Sequence, residues 1–471
     1  MSWGTLTCAD YLSQQLRQKG LTWIKLMNDP GVKQGVMNMR SLNSMVTDSS
    51  AASSSWGCGS RVMNGVVNVL PSGKNLTTLY ELFAQAGWKR GLVTTTEITH
   101  ATPAGFAASV GSRGSGDEIA VQYFERKIDL MLGGGDKFFN PGRRRDKRDL
   151  RAEFVSADYH VMRNADELAS APVGKRWLGT FYDSHLPFTL DQMGDRKLIE
   201  QVPTIAMMSR RALDWLGRHD RFILQIEGGR VDHGAHNCDA AAALRDMIAF
   251  DEAIDVVLEF QKQQPNTLIV ITTDHGNGNM GVNGTGSAYG ESSQKFKRIA
   301  GIKASFPVIL EQLRRPRPEI SVHDPVRSDQ SGERPRRDYV PSIKDIQEII
   351  GENTGYKISD RKAEHFLSYL TRKGTALYDS MNSDTVQLGQ LLGNHIAVGW
   401  TSNAHTSDYV PITALGPGAE RFGGFIQNTD VFRHYTTMAG IDFKNPEVPL
   451  TASVEIAPHG REENVAEYAV A

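Results

Sequence analysis

The chain has 471 residues, 40% of them hydrophobic, enough to bury one large α/β core or two to three smaller ones. Lysine and arginine total 52 against 54 aspartate and glutamate, a net charge of −2, which argues against a nucleic-acid partner held by a basic excess. No apolar run reaches the roughly 18 residues of a membrane-spanning helix, and Cys8, Cys58 and Cys238 are too scattered for a disulfide framework or a Cys-rich zinc site. One bridge among the three stays open, without a pairing.

In chain order, MSWGTLTCADYLSQQL lacks the basic-then-apolar pattern of a signal peptide and predicts a helix from about Thr7 to Lys19. VTDSSAASSSWGCGS follows, with five serines and no large side chain between Asp48 and Trp56. Such a run is either a solvated linker or a place where something approaches backbone and one hydroxyl closely. A helix is expected over Leu79–Ala86. Gly91–Thr96, Ile128–Leu132, Phe222–Ile226 and Leu268–Thr272 are continuous apolar runs, predicting parallel strands buried on both faces. Asn140–Arg151 is basic and turn-rich, expected as a solvated loop. Asp239–Gln264 is the clearest amphipathic helix, with Met247, Phe250, Ile254, Val257 and Leu258 on one face.

Strand–helix alternation predicts a three-layer α/β/α sandwich around a mostly parallel central sheet, with its chemistry at the carboxyl ends of strands. Residues 281–393 are Gly-, Ser-, Pro- and Arg-rich before helices near Ile343–Ile350 and Arg361–Arg372. They read as an insertion into a core formed by 1–280 and 394–471.

Several strand ends carry metal-competent side chains. In Ile226-Glu-Gly-Gly-Arg-Val-Asp-His-Gly-Ala-His236, Asp232 and His236 are four apart, on one side of a helical turn. Glu227 stands just after the strand, with His233 between. Thr272-Thr-Asp-His-Gly-Asn277 places Asp274 and His275 at another strand end, and mixed oxygen and nitrogen donors suit zinc. His405, in Ser402-Asn-Ala-His, supplies a third imidazole. Glu97-Ile-Thr-His-Ala-Thr-Pro-Ala104 offers Glu97, His100 and Thr102, and Arg113 downstream has the forked geometry for phosphate or carboxylate. No role is assigned to His160, His185, His219, His323, His365, His434 or His459. A cation beside a serine hydroxyl lowers its pKa, so the small-residue run is accounted for if one of its serines attacks phosphorus.

From about Arg40 to Tyr409, these motifs in this order resemble the alkaline phosphatase family. VTDSSAASSSW is similar to the family's D-S-A-A-S-A-T-A-W segment. Aligned on Trp56, the resemblance implies Ser49 as nucleophile, Ser50 as its rival, and Asp48 as the acid orienting the active-site arginine, Arg113. It implies magnesium on Thr102 and Glu227, one zinc on Asp232, His236 and His405, and a second zinc on Asp274 and His275. His100 and His233 stand beside the ligands, as in animal-type members, and LGGG at Leu132–Gly135 is also family-like. Family members begin with a strand ending in a Gly-Asp-Gly-Met-Gly-like turn whose Asp bridges magnesium and the second zinc. Met1-Ser-Trp-Gly resembles the tail of that turn, so the expectation is a chain lacking that strand and that ligand. The resemblance further implies phosphomonoester hydrolysis through a phosphoserine, small phosphate esters as partners, a homodimer, and a periplasmic or extracellular place for the full-length product. The rival readings are a phosphodiesterase or sulfatase of the same superfamily, or an inactive metal- or phosphate-binding protein. A sulfatase C/S-x-P-S-R segment is absent around Ser49, and diesterases usually use Thr and lack the Thr102–Glu227 pair.

Overall fold

The computed structural model describes residues 1–284, 288–315 and 339–450. Most of the Arg- and Pro-rich stretch assigned to the insertion lies outside them, as do His323 and His459. The strands are β1 (Lys33–Asn38), β2 (Lys89–Glu97), β3 (Leu130–Gly134), β4 (Tyr159–Met162), β5 (Arg176–Thr180), β6 (Phe222–Glu227), β7 (Ile269–Thr272), β8 (Gly276–Asn277), β9 (Gly281–Val282), β10 (Val398–Gly399), β11 (His405–Thr406), β12 (Val410–Leu415) and β13 (Gly424–Gln427).

Five strands form an all-parallel sheet in the order β4-β5-β3-β2-β6. The connections between them are helical, as parallel pairing requires. Leu92 and Met131 pack into one apolar cluster, while their neighbours Val93, Leu130 and Leu132 pack into another on the opposite face. This two-residue alternation covers both faces and buries β2 and β3. A second sheet has the order β13-β1-β12-β7, with β12 antiparallel to both neighbours. The expected central sheet is therefore present as two ladders, one ending in β6 and the other in β7.

That division corrects one expectation. Phe222–Ile226 was to be buried on both faces, yet every residue of β6 is half-buried, and Val270 and Thr272 of β7 are as well. Both are edge strands among the described residues, so their apolar side chains lack a neighbour on one side. The loop before the helix Leu150–Ser156 differs too. Arg144 within it is buried and donates to Phe138 O and to Asp146. Cys8, Cys58 and Cys238 are all buried and unbridged.

The serine-rich run is a helix, Ser49–Cys58, with every residue buried. Asp48 caps it, accepting the Ala51 N–H at 2.9 Å. The helix lies backbone to backbone against Ala101–Ala107, where Ser53 Oγ donates to Ala101 O at 2.9 Å. A Cβ on Gly57 would stand 1.9 Å from Gly105 O. The small residues thus let two helices cross at a separation that a side chain would prevent. Gly57→Ala is expected to lower the unfolding free energy by about 2–3 kcal/mol, read as a lower denaturant midpoint.

Candidate active site and metal centre

The carboxyl ends of β1, β2, β6 and β7 converge on one centre. Asp232 and His236 lie on the helix Arg230–His236 that follows β6. His405 is delivered by β11, which pairs with β8 just beyond Asp274 and His275. Asp232 Oδ2 is 3.3 Å from His236 Nε2, the Nε2 atoms of His236 and His405 are 3.1 Å apart, and Asp232 Oδ1 is 3.8 Å from His405 Nε2. The potential ligand atoms of these three residues lie within 4.8 Å of one another.

The ring tautomers show what this cluster accepts. His236 Nδ1 faces Asn403 O at 2.6 Å and His405 Nδ1 faces Thr47 O at 2.9 Å. A carbonyl only accepts, so each Nδ1 carries the proton and each Nε2 presents a lone pair. With both rings neutral, two lone pairs would face each other 3.1 Å apart beside a carboxylate, a contact that a proton on His236 or a metal cation between them relieves. The Asp232 carboxylate outweighs the opposing effect of burial and raises the His236 pKa, recruiting positive charge to this place. Burial, with His275 nearby, pushes His405 down to about 3 and keeps it neutral. Carbonyl oxygens behind both imidazoles fix their rings in the way that the imidazoles of a metal site are commonly fixed.

His275 repeats the pattern. Its Nδ1 faces Gly276 O at 3.2 Å, and its Nε2 is 3.0 Å from Asp274 Oδ2 and 3.0 Å from Ser49 Oγ. The hydroxyl of Ser49 therefore donates to His275, whereas Ser50 Oγ donates away from the centre to Asp48 Oδ2 at 2.7 Å. His275 also stacks on His405 with ring centres 3.5 Å apart, joining the two groups of donors.

Arg113 borders the same space. Its Nη1 is 3.1 Å from Asp48 Oδ2, which also accepts the Gly65 N–H at 2.9 Å. Burial would raise the Asp48 pKa, but the Arg113 guanidinium, these N–H groups and Ser50 hold it below the usual range. Glu227, at the end of β6, accepts from Thr94 Oγ1 at 2.5 Å and Thr96 Oγ1 at 3.2 Å, and also from Thr102. Burial lifts Glu227 to about 7 against those bonds. Glu227 and Thr102 thus lie together, as a magnesium pair would. Glu97 points elsewhere, onto Ser184 and Lys137.

Reasoning from motifs missed three contributors. Asn277 donates to Asp232 Oδ1 at 2.6 Å and fixes the carboxylate; its place two residues after His275 was the available signal. Arg230 donates to His233 Nδ1 at 2.6 Å and stacks over Phe188, 3.8 Å from the ring centre. His185, which was given no role, packs its ring against His233 and His100, at 4.4 and 5.3 Å between centres. Nothing in the local spacing of FYDSHLPF announces that contact.

Comparison with known proteins agrees with the geometry. The family model described as alkaline phosphatase matches residues 1–441. Alkaline phosphatase 4 of Bacillus subtilis is 28% identical over 392 residues, covering 82% of this chain and 75% of its own. The repressible alkaline phosphatase of Saccharomyces cerevisiae is 29% identical over 422 residues, 81% of this chain and 68% of its own. Among solved structures, the alkaline phosphatase of Thermus thermophilus superposes with a TM-score of 0.83 at 31% identity, covering 95% of this chain and 91% of that one. A histidine-to-glutamate variant of the alkaline phosphatase of the Antarctic bacterium TAB5, 19% identical with a TM-score of 0.61 over 92% of this chain and 95% of its own, has magnesium bound in its M3 site. With its metal-competent motifs gathered at one end of the strands and its match running through nearly the whole length, the chain belongs to the alkaline phosphatase family.

Proposed function

We propose that this chain hydrolyses phosphate monoesters, with Ser49 as the nucleophile. The observation that carries this reading is Ser49 Oγ, 3.0 Å from His275 Nε2, at the edge of a lone-pair cluster and in the same space as Arg113. In this reading Asp232, His236 and His405 hold one zinc, Asp274 and His275 a second, and Thr102 and Glu227 a magnesium. Bound there, these ions lower the pKa of a serine hydroxyl or water and neutralise charge on the attacking and leaving oxygens.

The chain's own residues supply the rest. Ser49 sits at the first position of its helix, where capping by Asp48 fixes the backbone and leaves the hydroxyl facing the centre. Asp48 holds Arg113 so that its fork meets two phosphoryl oxygens in a set orientation. Ser49 Oγ gives up its proton and forms a bond to phosphorus as the ester oxygen leaves with the bonding pair and takes up a proton from solvent. Water then attacks the same phosphorus from the opposite side, and phosphate departs as Ser49 regains its proton.

The test is hydrolysis of a chromogenic phosphate monoester by the protein with zinc and magnesium present, and its loss on chelation. Absence of turnover under those conditions would refute the assignment; turnover confined to the matching diester would transfer it to phosphodiester hydrolysis. Arg113→Ala is expected to reduce kcat/KM about a hundredfold, since two bonds to a charged oxygen are lost. Steady-state kinetics would show KM rising as well as kcat falling.

A further inference from the structure

Beside the cation centre lies a second imidazole cluster of opposite polarity. His100, His185 and His233 bring their ring centres within 4.4–5.5 Å of one another, with the planes 69–87° apart. Each of the three residues is half-buried.

Every ring here is turned by a donor. The Glu97 backbone N–H points at His185 Nδ1, 3.1 Å away. Arg230 Nη1 lies 2.6 Å from His233 Nδ1, and Arg113 Nη2 lies 3.3 Å from His100 Nε2. Neither a peptide N–H nor a guanidinium accepts a hydrogen bond, so those three ring nitrogens spend their lone pairs on protein donors. What remains is an N–H on each ring: Nε2–H of His185, Nε2–H of His233 and Nδ1–H of His100. The last is buried with no acceptor among the described residues. A metal needs lone pairs, and this cluster presents none. It matches oxygen acceptors instead.

The charges agree. Arg113, Arg230 and Lys137 surround the cluster, and the Glu97 carboxylate behind it is paired with Lys137. Asp232 and Asp274, among the residues of the cation centre, act on the cluster with the opposite sign. Arg113 touches both regions, with Nη1 on Asp48 and Nη2 on His100. A ligand whose first phosphoryl group meets Arg113 would have the imidazole N–H groups beside its next one.

We propose that His100, His185 and His233 form a subsite for a second anionic phosphoryl group, making this chain selective for diphosphates over simple monophosphates. The inference rests on the phosphatase reading for its catalytic meaning, but not for binding. The test uses methylenediphosphonate and methylphosphonate, two non-hydrolysable probes, titrated calorimetrically into the protein. The diphosphonate is expected to bind about tenfold or more tightly than the monophosphonate, the scale of a charge-assisted hydrogen bond. His185→Ala should cut that margin to about twofold, and His185→Gln, which keeps an N–H donor, should restore part of it. Equal affinities in the wild type, a margin that survives His185→Ala, or a margin lost equally in both variants would overturn the proposal. Chromogenic ester hydrolysis on the same preparation separates the two ideas: a margin without turnover leaves the subsite standing and removes the phosphatase reading, and turnover without a margin does the reverse.

Discussion

Ser49→Ala is expected to abolish labelling of the protein by phosphate esters and to reduce turnover on the order of 10⁴-fold or more, the scale on which covalent nucleophiles act. The geometry makes the expectation selective. Ser49 Oγ faces His275 Nε2, while Ser50 is fully buried with its hydroxyl on Asp48. Ser50→Ala should act only through the carboxylate that holds Arg113, with a loss of about tenfold for one such bond. Acid-quenched incorporation of radiolabelled phosphate would distinguish the two. Label persisting in Ser49→Ala and vanishing in Ser50→Ala would move the nucleophile by one residue.

His405→Ala carries the second large effect. It removes one of two facing lone pairs and the tether from the ring to Thr47 O, one residue before the cap of the nucleophile helix. Tightly bound zinc is expected to fall by one equivalent, and turnover by about three orders of magnitude. Excess zinc should restore part of it. Asn277→Ala is a milder companion. Releasing the Asp232 carboxylate from its amide donor should weaken metal affinity about 10–100-fold. Elemental analysis after dialysis measures both changes without reference to activity. Retention of full zinc by His405→Ala would exclude this histidine from the ligand set.

The elements that were legible in the sequence share one property: their signal is local. Leu79–Gln85 and Ala240–Gln263 match the expected helices to within a residue or two, because a 3.6-residue apolar period is complete within each segment. The candidate ligands could be picked out because Asp232/His236 and Asp274/His275 stand at fixed spacing after apolar strands. The tautomers could not. They depend on Asn403, Thr47 and Gly276 carbonyls for one cluster, and on Arg230, Arg113 and the Glu97 N–H for the other. Most of these partners are distant in the chain. Identical residue types thus acquire opposite chemistry from what stands behind them. The exposure of β6 was equally hidden, since FILQI reads as an interior strand whether or not a neighbour lies alongside.

The divided sheet has a mechanical consequence. Asp232 and His236 follow β6 in one ladder, whereas His275 follows β7 and His405 precedes β12 in the other. No rung of backbone bonding joins β6 to β7 among the described residues. Shared ligation by Asp232, His236 and His405 would then act as a clasp across that seam. Each tenfold excess of free cation over its dissociation constant would tighten the clasp by about 1.4 kcal/mol. Stripped of cations, the protein should open along this line first, with amides of β6 and β7 exchanging with deuterium well before those of β2 and β3.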